Sequence, residues 1–185
     1  MDLQFPNAML SSFLVSGRAL TVIARPYPLE DWYEATSATQ QLVNAVYSFH
    51  RSADGRAAFV AYVDSIVAIR VIVDPESEKQ YFVHDEQHLV TRIPAVKGWD
   101  WSPEYDRLGQ SSPPTKLLRG FHACLARSSQ ENAGIHELWV NLDLRIPIAE
   151  VFPSFAVIVD HVTEGEPEAK VFEWPSDYTV TDAVL

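Results

Sequence analysis

Segments 56–63 and 66–73 are dense in Val, Ile, Phe and Tyr and are separated only by Asp64-Ser65. β-branched and aromatic residues suit a pleated, half-buried surface, and a short polar pair suits a turn. After the polar break at 74–77, segments 80–84 and 88–93 repeat the pattern and predict a tight hairpin. Four strands in succession leave no room for the long crossover that parallel neighbours need, so this stretch predicts antiparallel pairing.

Other strand signals flank it. Residues 19–24 alternate in a short strand that should end before Pro26 and Pro28. Leu138, Val140, Leu142 and Leu144 alternate with Trp139, Asn141, Asp143 and Arg145, the pattern of a half-buried strand. Segments 155–162 and 169–174 predict a closing hairpin around 163–168.

Two stretches carry helical spacing instead. Asp31 with Glu34 makes a capping-box pattern, and Trp32, Ala35, Thr39, Leu42, Val43, Val46 and Phe49 fall on one face of the helix it would start. A second helix is expected from about Ser112, with Pro113 in its first turn and Leu117, Leu118, Phe121, Cys124 and Leu125 as its apolar stripe. The expected class is therefore α+β. A mainly antiparallel sheet of five or more strands would carry two main helices, with 1–185 as one domain.

Composition narrows the setting. The chain has 185 residues, 47% of them apolar, enough for one sizeable core without metal or disulfide. Cys124 is the only cysteine, which excludes an intramolecular disulfide and fits a reducing compartment. Residues 1–18 lack the basic start and long apolar stretch of a signal peptide. The apolar run 57–73 is interrupted by Asp64, Ser65 and Arg70, short of the ~20 residues of a membrane helix. These features lead to an expectation of a soluble cytoplasmic protein.

The net charge of −11 is unevenly spread, for residues 128–185 hold Arg145 and Lys170 against 11 acids. That field repels phosphate backbones and attracts basic surfaces, so direct nucleic-acid binding is not expected. Glu164, Glu166 and Glu168 concentrate charge on one predicted hairpin tip, which serves equally as a solvated turn or a docking site for a basic partner.

Candidate chemistry is sparse. His84 and His88 stand at i and i+4 around Asp85-Glu86-Gln87, but zincins need Glu directly after the first His, and the flanks have strand character. A polar turn with two exposed histidines, and no metal, is expected. The 94–114 stretch is long, aromatic and proline-rich, with Trp99, Trp101 and Tyr105 beside Asp100, Glu104 and Asp106. Trp99 and Trp101 either plug the core or anchor a partner. Trp139 shares the expected polar face of its strand with Asn141 and Asp143, where a loop or a partner would cover it. Cys124 lies on an apolar stripe as an inert thiol, and no glycine-rich phosphate loop or nucleophile elbow occurs.

The function expected from these residues is a non-enzymatic protein-binding domain, such as an inhibitor or immunity-type protein, requiring no cofactor. Its acidic side would dock on a basic partner through Trp99, Trp101, Trp139, Asp143, Glu164, Glu166 and Glu168. The alternatives are a small enzyme or ligand-binding domain using the 94–114 loop, and a structural subunit of a larger assembly.

Overall fold

A computed structural model describes residues 18–29, 44–94, 114–131 and 134–183. They form one twelve-stranded sheet with strands β1 (Leu20–Pro28), β2 (Ala45–Arg51), β3 (Ala57–Val63), β4 (Ile66–Asp74), β5 (Lys79–His84) and β6 (Leu89–Pro94). Then come β7 (Thr115–Leu118), β8 (Phe121–Glu131), β9 (Gly134–Asn141), β10 (Ile146–Val151), β11 (Phe155–Glu164) and β12 (Thr179–Asp182). The order across the sheet is β12-β6-β5-β4-β3-β2-β1-β11-β10-β9-β8-β7. Two antiparallel meanders, β2–β6 and β7–β11, thus meet at β1, and only β12 pairs parallel, with β6.

The expected α+β class is overturned. Residues 45–49, assigned above to the end of the first helix, are β2, and the rest of that helix lies outside the described residues. Ala45, Tyr47, Phe49 and Arg51 are buried and share one face of β2, which β1 and β3 pair on its two sides. The second helix is also corrected. Its apolar stripe is split between β7 and β8 by a two-residue turn in which Arg119 and Gly120 have φ of +50° and +84°. Two successive positive φ values reverse a hairpin and end a helix, and Gly120 is the residue suited to that turn.

Smaller corrections follow the same logic. β1 runs on through Pro26 and Pro28, because its register with β2 stops at Ala24 while that with β11 continues to Pro28. A proline is tolerated where one flank of the strand is unpaired. β9 ends at Asn141, so Leu142 and Leu144 belong to the turn before β10. Ala169–Phe172 form a 3₁₀ turn rather than a strand. The four expected strands between 56 and 93 are all present, as β3 to β6, and Asp64 and Ser65 form the turn joining the first two, both at positive φ.

The sheet is strongly coiled. Arg51 on β2 donates to the carbonyls of Leu144 and Arg145, beside β10. With β1 and β11 between them, a flat sheet would separate β2 and β10 by about 14 Å, further than an arginine side chain reaches. The main core contains Val22, Phe49, Phe59, Val71, Leu138, Ile148 and Val157 among others. A second, smaller core of Ala58, Ile72, Val83, Val90 and Phe172 lies on the other face of β3–β6. Residues 165–183 cross that face as a strap, held by Phe172 in the small core and by β12 beside β6. No helix of the described residues is long and apolar enough to cross a membrane.

Candidate functional site

Of the residues singled out from sequence, Trp139, Asp143, Glu164, Glu166 and Glu168 are among the described ones. Trp99 and Trp101 lie outside the described residues. Trp139 is only 2% exposed, so it is packed in the main core rather than standing on a solvated face. Its indole N–H donates to Glu137 Oε2 at 2.8 Å, and the Lys116 ammonium lies 4.7 Å from the centre of its ring. Coiling buries side chains that project from both faces of a strand, which alternation alone does not reveal.

Asp143 is exposed in the turn after β9, next to Leu142, itself half exposed. Glu164, Glu166 and Glu168 each have a partner within the chain. Glu164 pairs with Arg18 at 3.1 Å, Glu166 accepts the Ala53 N–H at 3.1 Å, and Glu168 pairs with Lys170 at 2.6 Å. Arg51 bonds the carbonyl of Arg18 as well as those of Leu144 and Arg145, which brings the Asp143 turn to the same end of the sheet as Glu164.

His84 and His88 are exposed, one facing Thr91 Oγ1 at 3.2 Å and the other stacked on Tyr178 at 5.0 Å. Among the described residues no group of three His, Cys, Asp or Glu side chains is placed to hold a metal. Cys124 is buried, its thiol donates to the Val140 carbonyl at 3.6 Å, and burial raises its pKa above the usual thiol value.

A site with no sequence motif lies under the strap. A cleft of about 490 Å³ has a floor that includes His50, Val60, Tyr62 and Arg70, from β2, β3 and β4. Lys170 and Trp174 of the strap overhang it. The register explains the floor: Val60 sits opposite both Ser48 and Arg70, and His50 opposite Ala58, so these side chains share one face. A second cleft of about 360 Å³, between 66–70 and 82–87, shares Val67 and Arg70 with the first. Arg70 donates through Nη2 to the Glu173 carbonyl, and its Nη1 lies 3.8 Å from Asp85. Its Nε is buried with no hydrogen-bond partner.

His50 carries the most suggestive chemistry. Its Nε2 is 2.6 Å from Ser48 Oγ and its Nδ1 is 3.0 Å from Thr21 Oγ1. Burial lowers its pKa to about 4, so the ring is neutral at pH 7, with one nitrogen donating and the other accepting. A neutral histidine on a serine is the start of a nucleophile. Here, however, the third member is a hydroxyl, which does not stabilise an imidazolium as a carboxylate does, and Ser48 is 5% exposed. The trio satisfies buried hydroxyls and shapes the cleft floor. His50, Tyr62, Arg70 and Trp174 were missed from sequence; the alternation along β2, β3 and β4 was the only signal that could have put the first three on one face.

No family model matches the sequence, and no curated protein matches it. Solved structures do resemble the fold. An uncharacterized conserved protein from Thermus thermophilus aligns over 97% of this chain and 100% of its own, at TM-score 0.56 and 11% identity. PNGF-II aligns over 90% of this chain at TM-score 0.55 and 10% identity, and the match spans 31% of the PNGF-II chain. At a tenth identity these likenesses show the fold alone. MucB in complex with MucA aligns at TM-score 0.44, too loosely to bear on function.

Proposed function

We propose that this chain is a non-catalytic binding domain that holds a small anionic molecule with a flat apolar body in the cleft beneath the strap. The observation that carries this is Arg70. On a chain of net charge −11, a largely buried guanidinium lines a cleft that also presents Tyr62, Lys170 and Trp174. A cation beside aromatic faces suits an aryl carboxylate or aryl phosphate. The volume is within the roughly 300–1,000 Å³ of small-molecule sites. Titration with phenyl phosphate, benzoate and neutral benzyl alcohol, followed by tryptophan fluorescence, tests it. The anions should bind saturably and Arg70→Gln should weaken them about tenfold, as the loss of one charge-assisted bond does. Equal binding of the neutral alcohol, or no saturation by either anion, refutes the reading.

A second reading keeps the acidic side as a docking surface for a basic protein. It is favoured by the end of the sheet where exposed Leu142 and Asp143 stand near Glu164, an apolar contact rimmed by acids. Reversing Glu164, Glu166 and Glu168 to Lys should then slow association with a captured partner at low salt. An unchanged association rate would remove this reading.

A further inference from the structure

A second cationic site stands apart from the strap cleft. The turn between β7 and β8 directs Arg119 back onto β11 and β1, where its Nη1 lies 2.7 Å from Asp160 Oδ1. Its guanidinium carbon sits 4.4 Å from the centre of the Tyr27 ring. Asp160 also accepts the Tyr27 hydroxyl at 2.7 Å and an Arg25 N–H. One carboxylate thus serves two guanidinium groups, and the pocket of charge is left positive by one. The side chains of Arg119 and Asp160 are only 10% and 11% exposed, so solvent screens that excess poorly.

The unmet atoms of Arg119 have a specific geometry. Nε and Nη2 are both buried with no hydrogen-bond partner. Those two N–H groups form one edge of the guanidinium, the edge that grips both oxygens of a carboxylate or two oxygens of a phosphate. The chain uses the same edge elsewhere: Nε and Nη2 of Arg92 hold the two Asp182 oxygens at 2.7 and 2.9 Å. At Arg119 the fork is oriented, since Nη1 is tied to Asp160 and the plane rests on Tyr27, but it has no acceptor.

We propose that the Arg119 fork is a binding site for an oxyanion, the carboxylate or phosphate group of a small molecule. The fork lies in the turn that follows β7, the terminal strand of the described sheet, whose Thr115, Lys116 and Leu117 are exposed. Arg25 adds attraction at longer range, and Asp160 opposes it while holding the fork in place.

The test follows the arginine Nε–H signals of the ¹⁵N-labelled protein by NMR, titrated separately with sodium acetate and sodium phosphate against sodium chloride at matched ionic strength. The Arg119 signal is identified by its loss in Arg119→Lys. A saturable shift of that signal with acetate, with phosphate or with both supports the site, and the arms tell which oxyanion it takes. Arg70→Gln should leave this response intact, which separates it from the strap cleft. Shifts no larger than those in chloride, up to about 50 mM anion where even a weak millimolar site fills, would overturn the proposal.

Discussion

Replacing Arg51 with Ala should be among the most damaging single changes outside the apolar core. Arg51 is 1% exposed and donates to the carbonyls of Arg18, Arg145 and Leu144 at 2.9, 3.2 and 3.2 Å. Burial, aided by nearby Arg145, lowers its pKa to about 10, so it stays charged at neutral pH. A hydrogen bond from a charged donor contributes about 1.5–3 kcal/mol. Three would total about 6 kcal/mol, but truncation also removes the guanidinium's desolvation cost, itself several kcal/mol. Carbonyls at a sheet end regain some water as well. The net loss should be about 3 kcal/mol, equivalent to roughly 6–12 °C in Tm for a chain of this size. Urea unfolding should show a lower midpoint at unchanged slope. Hydrogen exchange should show lost protection around the turn after β9, the segment Arg51 ties across the coil. Arg51→Met keeps the stem and drops the charge, and should cost about half as much. If Arg51→Ala costs under about 0.5 kcal/mol, as for an ordinary surface site, then these contacts do not hold the sheet in its coiled form.

Three further outcomes are expected. His50 has a folded pKa of about 4 against 6.5 in the unfolded chain, so its contribution is complete above pH 6.5 and is lost as pH falls from 6.5 towards 4. That loss is at most about 3 kcal/mol; urea midpoints at pH 7.5 and 4.5 should converge more in His50→Gln than in the parent, and equal pH dependence would argue against a buried neutral ring. Trp139→Ala should cost about 3–5 kcal/mol, as for a large core aromatic, and a cost below 1 kcal/mol by urea unfolding would contradict its packing in the core. Cys124, buried and with a raised pKa, should react with a thiol reagent far more slowly in the native protein than in urea, and equal rates would place it at the surface.

The strands from 56 to 93 were legible because β-branched and aromatic residues are dense there between polar turns, and local backbone preference and burial agree. Around 45–49 and 115–125 they do not decide the matter. Val46 with Phe49, and Leu118 with Phe121 and Cys124, stand three apart, which is helical spacing and puts successive ones on opposite faces of a strand, so the outcome was set by the neighbours β1, β3 and β9. Gly120 was the available clue to the second reversal. Charge followed the same division. A net of −9 over 128–185 follows from composition, but the engagement of Glu164, Glu166 and Glu168 by Arg18, Ala53 and Lys170 exists only once the chain is folded. Neither candidate site has a local signature, since Thr21 meets His50 across 29 residues and Tyr27 meets Asp160 across 133. Alternation along a strand assigns side chains to two faces. Coiling of the sheet decides which of those faces is covered, and by what, because that depends on contacts between strands distant in the chain.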